Sequence, residues 1–215
     1  SLIARKSVHQ LLYALDKLKD NYSVKLAIVG SGNEESLLTN LVAQLNLHDN
    51  VKFFSATDKV AQYYSSNADC FISVPSEEVF GLTLAEASLA KLPIITSNIP
   101  GINEIYSNQK NALLIPPNNT TELVKAIKSL IKTPELRTNL AENAQKHIER
   151  KFSVRQQFIA FNLAYQTLLS RKTQHNFMQN VLLHTKILVA ALLNKILING
   201  YKHLVLKLSW RKSHD

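Results

Sequence analysis

A chain of 215 residues, 46% apolar and 19% charged, is long enough to bury roughly 70% of the surface its unfolded form exposes. With 5 Gly, 6 Pro and a single Cys, it fits neither a disordered chain nor a disulfide scaffold. The net charge of +9 is concentrated at one end: residues 1–170 carry +2 and residues 171–215 carry +7, so the body is close to neutral.

Leu2-Ile3-Ala4 has the character of a strand end, followed by Arg5-Lys6, and we expect sequence upstream of it. Val8, Leu11, Leu12, Leu15 and Leu18 predict a helix over about 6–20. Val24 to Val29 reads as a strand that ends in Gly30-Ser31-Gly32. Leu37, Leu38, Leu41, Val42 and Leu45 mark a second helix, with Asn33 at its start and Glu34 and Glu35 in its first turn. Val51 to Phe54 is a strand, Thr57 to Tyr64 a short helix, and Asp69 to Val74 a strand with Cys70 as a core residue.

Gly81 to Ala90 is helical, Ile94 to Thr96 a strand, and Gly101 to Tyr106 a short helix. Ala112 to Ile115 is a strand stopped by Pro116-Pro117. Asn119 with Glu122 is a capping box opening a helix to about Ile131. Pro134 opens a helix to about Arg150, and Ser153 with Gln156 opens another to about Leu169. Strands alternating with helices predict an α/β fold, a Rossmann-like parallel sheet flanked by helices. Ligands in such sheets bind beyond the carboxyl ends of the strands.

The loop after the Asp69–Val74 strand carries the chemistry. Glu78 lies in it and Glu86 sits about one turn into the following helix, so both can face one ligand. The helix start offers backbone N–H groups to phosphate. Carboxylates repel phosphate and instead accept hydrogen bonds from hydroxyls. A ligand with hydroxyls at both ends and phosphates between them is a nucleotide sugar. The alternative is that Glu78 is a solvated loop residue and Glu86 a surface charge. His9, His48 and His147 read as surface residues with no nucleophile or metal-ligand pattern around them.

The segment Ser76-Glu77-Glu78-Val79-Phe80-Gly81, continuing to Glu86-Ala87, a Pro93-Ile94-Ile95 strand and Pro100-Gly101-x-x-Glu104, closely resembles the donor-binding half of family 4 glycosyltransferases. These are retaining enzymes of the two-domain GT-B fold. The resemblance covers about residues 1–170 and implies the C-terminal half of a GT-B fold with its first strand truncated. It implies that Glu78 contacts the donor sugar hydroxyls and Glu86 the ribose hydroxyls. Phe80, Gly81 and Leu82 would approach sugar and pyrophosphate with backbone groups.

Lys6 matches the lysine that neutralises the pyrophosphate, so Glu78 and Lys6 are the expected catalytic pair. Gly30 and Gly32 match a glycine-rich turn, and Glu104 a recurrent acidic position. The sequence departs from the family pattern where Ser1 replaces an arginine and where Ser7, Ser55 and Lys91 replace glycines. A lost arginine–phosphate bond is worth about 1.5–3 kcal/mol.

The implied function is transfer of a hexosyl group from a nucleoside-diphosphate sugar with retention, to a lipid-linked or polysaccharide acceptor. The partner is an N-terminal acceptor domain not contained in this chain. No cofactor is expected, since no Asp-x-Asp metal motif appears and the resemblance implies no metal. The other reading is a non-catalytic binding module of the same fold.

Residues 171–215 read as a basic amphipathic helical tail. His184, Asn194, Lys195, Asn199, Lys202 and His203 lie on one side of a wheel, opposite Leu183, Ala190, Leu193, Leu197, Tyr201 and Leu204. With Trp210 near its end, the tail suits an anionic membrane surface, placing the protein in the cytoplasm, peripheral to the inner face of a membrane. Packing of the same apolar face on the body or on a further domain is the alternative. Nucleic acid is not an expected partner, because scattered lysines with one aromatic make no stacking platform.

Overall fold

The computed structural model describes residues 1–57, 61–65, 68–170 and 205–211. A 3-10 turn at Ala4–Lys6 precedes α1 (Val8–Asp16), whose Val8, Leu11, Leu12 and Leu15 are buried on one face. The helix is shorter than the expected 6–20. Ser7, in a left-handed conformation at φ 50°, separates the turn from α1. β1 (Ser23–Val29), α2 (Glu35–Gln44) and β2 (Val51–Phe54) follow as expected. Of the short helix expected over 57–64, α3 is described at Ala61–Ser65, while residues 58–60 lie outside the described residues.

β3 (Cys70–Ser73) and β4 (Ile94–Ser97) are buried at every residue, as strands covered on both faces must be. Between them runs α4 (Leu82–Leu89). Residues 101–105 form turns, not the short helix expected over 101–106. Tyr106 N–H reaches the Ile102 carbonyl at 2.8 Å, but the Asn111 side chain then takes Ser107 N–H at 2.7 Å and ends the ladder. β5 (Leu113–Ile115) leads to α5 (Thr120–Lys132), where Asn119 Oδ1 accepts from Glu122 N–H at 3.0 Å. α6 (Pro134–Phe152) and α7 (Val154–Ser170) complete the helices described.

β1 pairs in parallel with β2, β3 with β4, and β4 with β5. α1 packs on α2 and α5, and these helices bury Leu12, Leu15, Leu38 and Ile127 against Leu26, Ile28, Cys70 and Ile72. Each fully buried leucine here contributes about 1.5–3 kcal/mol. Phe71 has the opposite parity along β3 and meets Tyr64 of α3 edge-on at 5.7 Å. Helices thus cover both sheet faces. Cys70 is buried, and burial first, then Asp69, push its thiol well above the ordinary range, in keeping with a core residue.

One part of the tail differs from expectation. Val205–Arg211 is a strand, β6, antiparallel to both neighbours, and the sheet order is β2-β1-β6-β3-β4-β5. The sequence here alternates apolar and polar positions with a period of two. Register places Leu206, Leu208 and Trp210 opposite the buried Ile28, Leu26 and Val24. Of the amphipathic helical tail expected over 171–215, residues 171–204 and 212–215 lie outside the described residues. The chain's compact units are Ser1–Glu149 with Lys202–Asp215, and Arg150–Tyr201.

Candidate functional site

The N-terminal segment threads between two loops at the carboxyl ends of the strands. Leu2 N–H donates to the Ser31 carbonyl at 2.9 Å, and Glu34 N–H to the Leu2 carbonyl at 3.1 Å. On the other side Ser76 N–H and Oγ both donate to the Arg5 carbonyl, at 2.9 and 3.3 Å. Gly32 permits this passage: a Cβ there would stand 2.1 Å from the Leu2 carbonyl oxygen. Gly30, at φ 146°, donates its N–H to the Phe54 carbonyl at 2.9 Å. The glycine turn read from the sequence as part of the ligand site therefore also seats the segment that carries Lys6.

That seating brings Lys6 to Glu78. Nζ and Oε2 lie 2.5 Å apart, with side chains only 15% and 17% exposed. Glu78 Oε1 accepts Val79 N–H at 3.1 Å. Burial raises the Glu78 pKa, but the Lys6 hydrogen bond and charge, with smaller help from Val79 N–H and Arg5, outweigh it and hold the carboxyl below 4.5. The two residues the sequence named as catalytic thus form one ion pair.

The loop behind Glu78 is braced by the turn after β4. Gly101 has φ 84°, and a Cβ there would stand 2.5 Å from the Glu78 carbonyl oxygen and 2.4 Å from that of Val79. Glu104 Oε1 accepts Gly101 N–H at 3.3 Å, which gives that acidic position a local task. Gly81, at φ 74°, sits at the N-cap of α4 with no side chain to cap it. The first bonds of α4 run from Leu84 and Ala85 N–H to the Gly81 carbonyl, so Leu82 and Thr83 N–H precede the helical ladder. Phe80 is half-buried and Leu82 exposed.

Glu86 lies on α4 and is held by a residue that the sequence did not single out. Tyr64 Oη donates to Glu86 Oε2 at 2.9 Å. No motif announces Tyr64, since the two residues sit on different helices. His48 is exposed, and His9 and His147 are half-buried. Among the described residues no group of three or more His, Cys, Asp or Glu could hold a metal ion, and no helix is long and apolar enough to cross a membrane.

Known proteins resemble this chain in sequence and fold. The family model described as glycosyl transferases group 1 matches residues 1–147. An uncharacterized glycosyltransferase of Haemophilus influenzae is 34% identical over 67% of this chain and 41% of its own length. The capsular polysaccharide biosynthesis glycosyltransferase CapM of Staphylococcus aureus is 25% identical over 71% of this chain and 40% of its own. The crystal structure of Anabaena Alr3699/HepE with UDP-glucose superposes with a TM-score of 0.69 at 25% identity, covering 76% of this chain and 46% of that one. The chain thus spans about two fifths of the length of these curated relatives.

Proposed function

The chain belongs to the glycosyl transferases group 1 family and carries a C-terminal GT-B glycosyltransferase domain, and from that premise we propose that it is the donor-binding half of a retaining family 4 enzyme. The donor is a nucleoside-diphosphate sugar. One observation carries this reading: Lys6 pairs with Glu78 in the loop that leads into α4, whose N-terminus has no side-chain cap, and Glu86 lies about one turn into that helix. The UDP-glucose bound by the Anabaena protein supports it.

In this reading the ligand exchanges the partners of the ion pair. The diphosphate takes Lys6 and the N–H groups of Leu82 and Thr83, and a sugar hydroxyl takes Glu78. Glu86 accepts from the ribose. As the bond from the anomeric carbon to the diphosphate breaks, the leaving oxygen keeps the electron pair. Lys6 and the helix dipole stabilise that charge. The acceptor hydroxyl, presented by a part of the enzyme outside this chain, would bond the anomeric carbon from the same face of the sugar and give its proton to the departing diphosphate oxygen. Lys6 and the helix supply the positive charge the leaving group calls for, and we assign no cofactor.

CapM's part in capsular polysaccharide biosynthesis supports a lipid-linked or polysaccharide acceptor. The +7 charge of residues 171–215 suits a protein working at an anionic inner membrane face from the cytoplasm.

Calorimetric titration of the chain with UDP, GDP, ADP and their sugar conjugates tests the reading. We expect saturable binding of one base series. Glu86→Ala should weaken the whole series about tenfold or more, and Glu78→Ala should mainly erase the preference for the sugar conjugate. Equal affinity in both variants and the parent would remove the site assignment. No binding by a cooperatively folded chain would favour the non-catalytic binding module.

A further inference from the structure

Tyr64 is 5% exposed, and its ring is fixed by the edge-on contact with Phe71 of β3. Its hydroxyl is turned toward α4. There it meets Glu86 Oε2 at 2.9 Å and the Thr83 carbonyl at 3.5 Å. The phenol is therefore held at one end by the sheet and at the other by the first turns of the helix on which the ligand site is built. Burial first, then the charge and hydrogen bond of Glu86, push the phenol pKa far above the ordinary value, so the hydroxyl stays protonated and donates.

A glutamate on a helix has three side-chain torsions to fix before its carboxylate can meet a pair of vicinal hydroxyls. A donor of fixed position at Oε2 sets the plane of that carboxylate in advance. The benefit falls on a ligand that presents a diol to it and is absent for a ligand that presents one hydroxyl less. We propose that Tyr64 is a positioning residue for Glu86, which orients the carboxylate for a ribose diol and so sets the preference of the site for ribonucleotides over 2′-deoxyribonucleotides. The proposal rests on the assignment of Glu86 to the ribose. Tyr64 touches no ligand in this scheme and acts through Glu86.

The test is calorimetric titration of the full chain with UDP, GDP, ADP and their 2′-deoxy counterparts, with the parent, Tyr64→Phe, Glu86→Ala and the double variant. Phenylalanine keeps the ring against Phe71, so the melting temperature of Tyr64→Phe should stay close to that of the parent. Its affinity for the bound ribonucleotide should fall roughly tenfold, with little change for the deoxy form, so the ratio between them shrinks toward one. In the Glu86→Ala background, Tyr64→Phe should change nothing further, an outcome a merely structural role does not produce.

An unchanged ratio in Tyr64→Phe beside a collapsed ratio in Glu86→Ala overturns the positioning role and leaves the ribose assignment standing. Additive losses in the double variant also overturn it. An unchanged ratio in both single variants, or a parent that binds no nucleotide, overturns the ribose assignment and the proposal with it.

Discussion

Lys6 and Glu78 neutralise each other in the ligand-free chain, so any anion seeking Lys6 competes with a carboxylate 2.5 Å away. Glu78→Gln removes that competitor. Nucleoside diphosphates without a sugar should then bind roughly fivefold tighter, while the extra affinity of the sugar conjugate falls, both read by calorimetry. The same substitution has a pH signature. The Glu78 pKa is lowered in the folded chain, so the pair stabilises the fold above the ordinary carboxylate pKa. That contribution is lost as pH falls through the lowered value. Between neutral pH and the region below 4.5, the melting temperature of Glu78→Gln should decline less steeply than that of the parent. The pairing partner was legible in part: the sequence named both residues, each toward a ligand, and gave no sign that they would meet without one. Tyr64 was not legible at all, because its bond to Glu86 spans 22 residues and joins two helices through tertiary packing alone.

The joints between elements explain two of the departures from the family pattern. Ser7 between the 3-10 turn and α1 has φ 50°, and Lys91 just after α4 has φ 57°. Both are left-handed positions, where a Cβ strains against the backbone. Lys91 N–H bonds the Ser88 carbonyl and Leu92 N–H the Ala87 carbonyl, a helix ending that glycine favours. Ser7 makes no side-chain capping bond that glycine would forfeit. Ser7→Gly and Lys91→Gly should therefore each stabilise the chain by about 0.5–1 kcal/mol, net of the extra freedom glycine gains in the unfolded chain. The check is a rise in the urea midpoint without a change in slope. Helix starts were readable where a side chain does the capping, as at Asn119, because the donor lies three residues on. The stretch 101–106 misled because Ile102, Ile105 and Tyr106 recur at helical spacing while Asn111, further along, takes the next N–H group.

Across the whole molecule the parallel strands fall into two sets, β2-β1 and β3-β4-β5, joined through β6 and, above it, through the N-terminal segment. The doubly covered α/β arrangement was legible from local alternation. β6 was not, since its partners Ser23–Val29 lie at the other end of the sequence. Deleting residues 205–215 would leave the facing edges of β1 and β3 unpaired in the middle of a sheet. The shortened chain should self-associate, visible as a larger mass in light scattering at concentrations where the full chain shows none. The placement of β6 also bears on the time course of folding. Each set of strands can assemble from neighbours close in sequence, whereas closing the gap between them brings together residues separated by nearly the whole chain, the slowest kind of contact to form. The loops after β1 and β3, which hold the N-terminal segment between them, belong to different sets, so the candidate site takes shape at that last step. During refolding, helical signal should recover well before the capacity to bind a nucleotide.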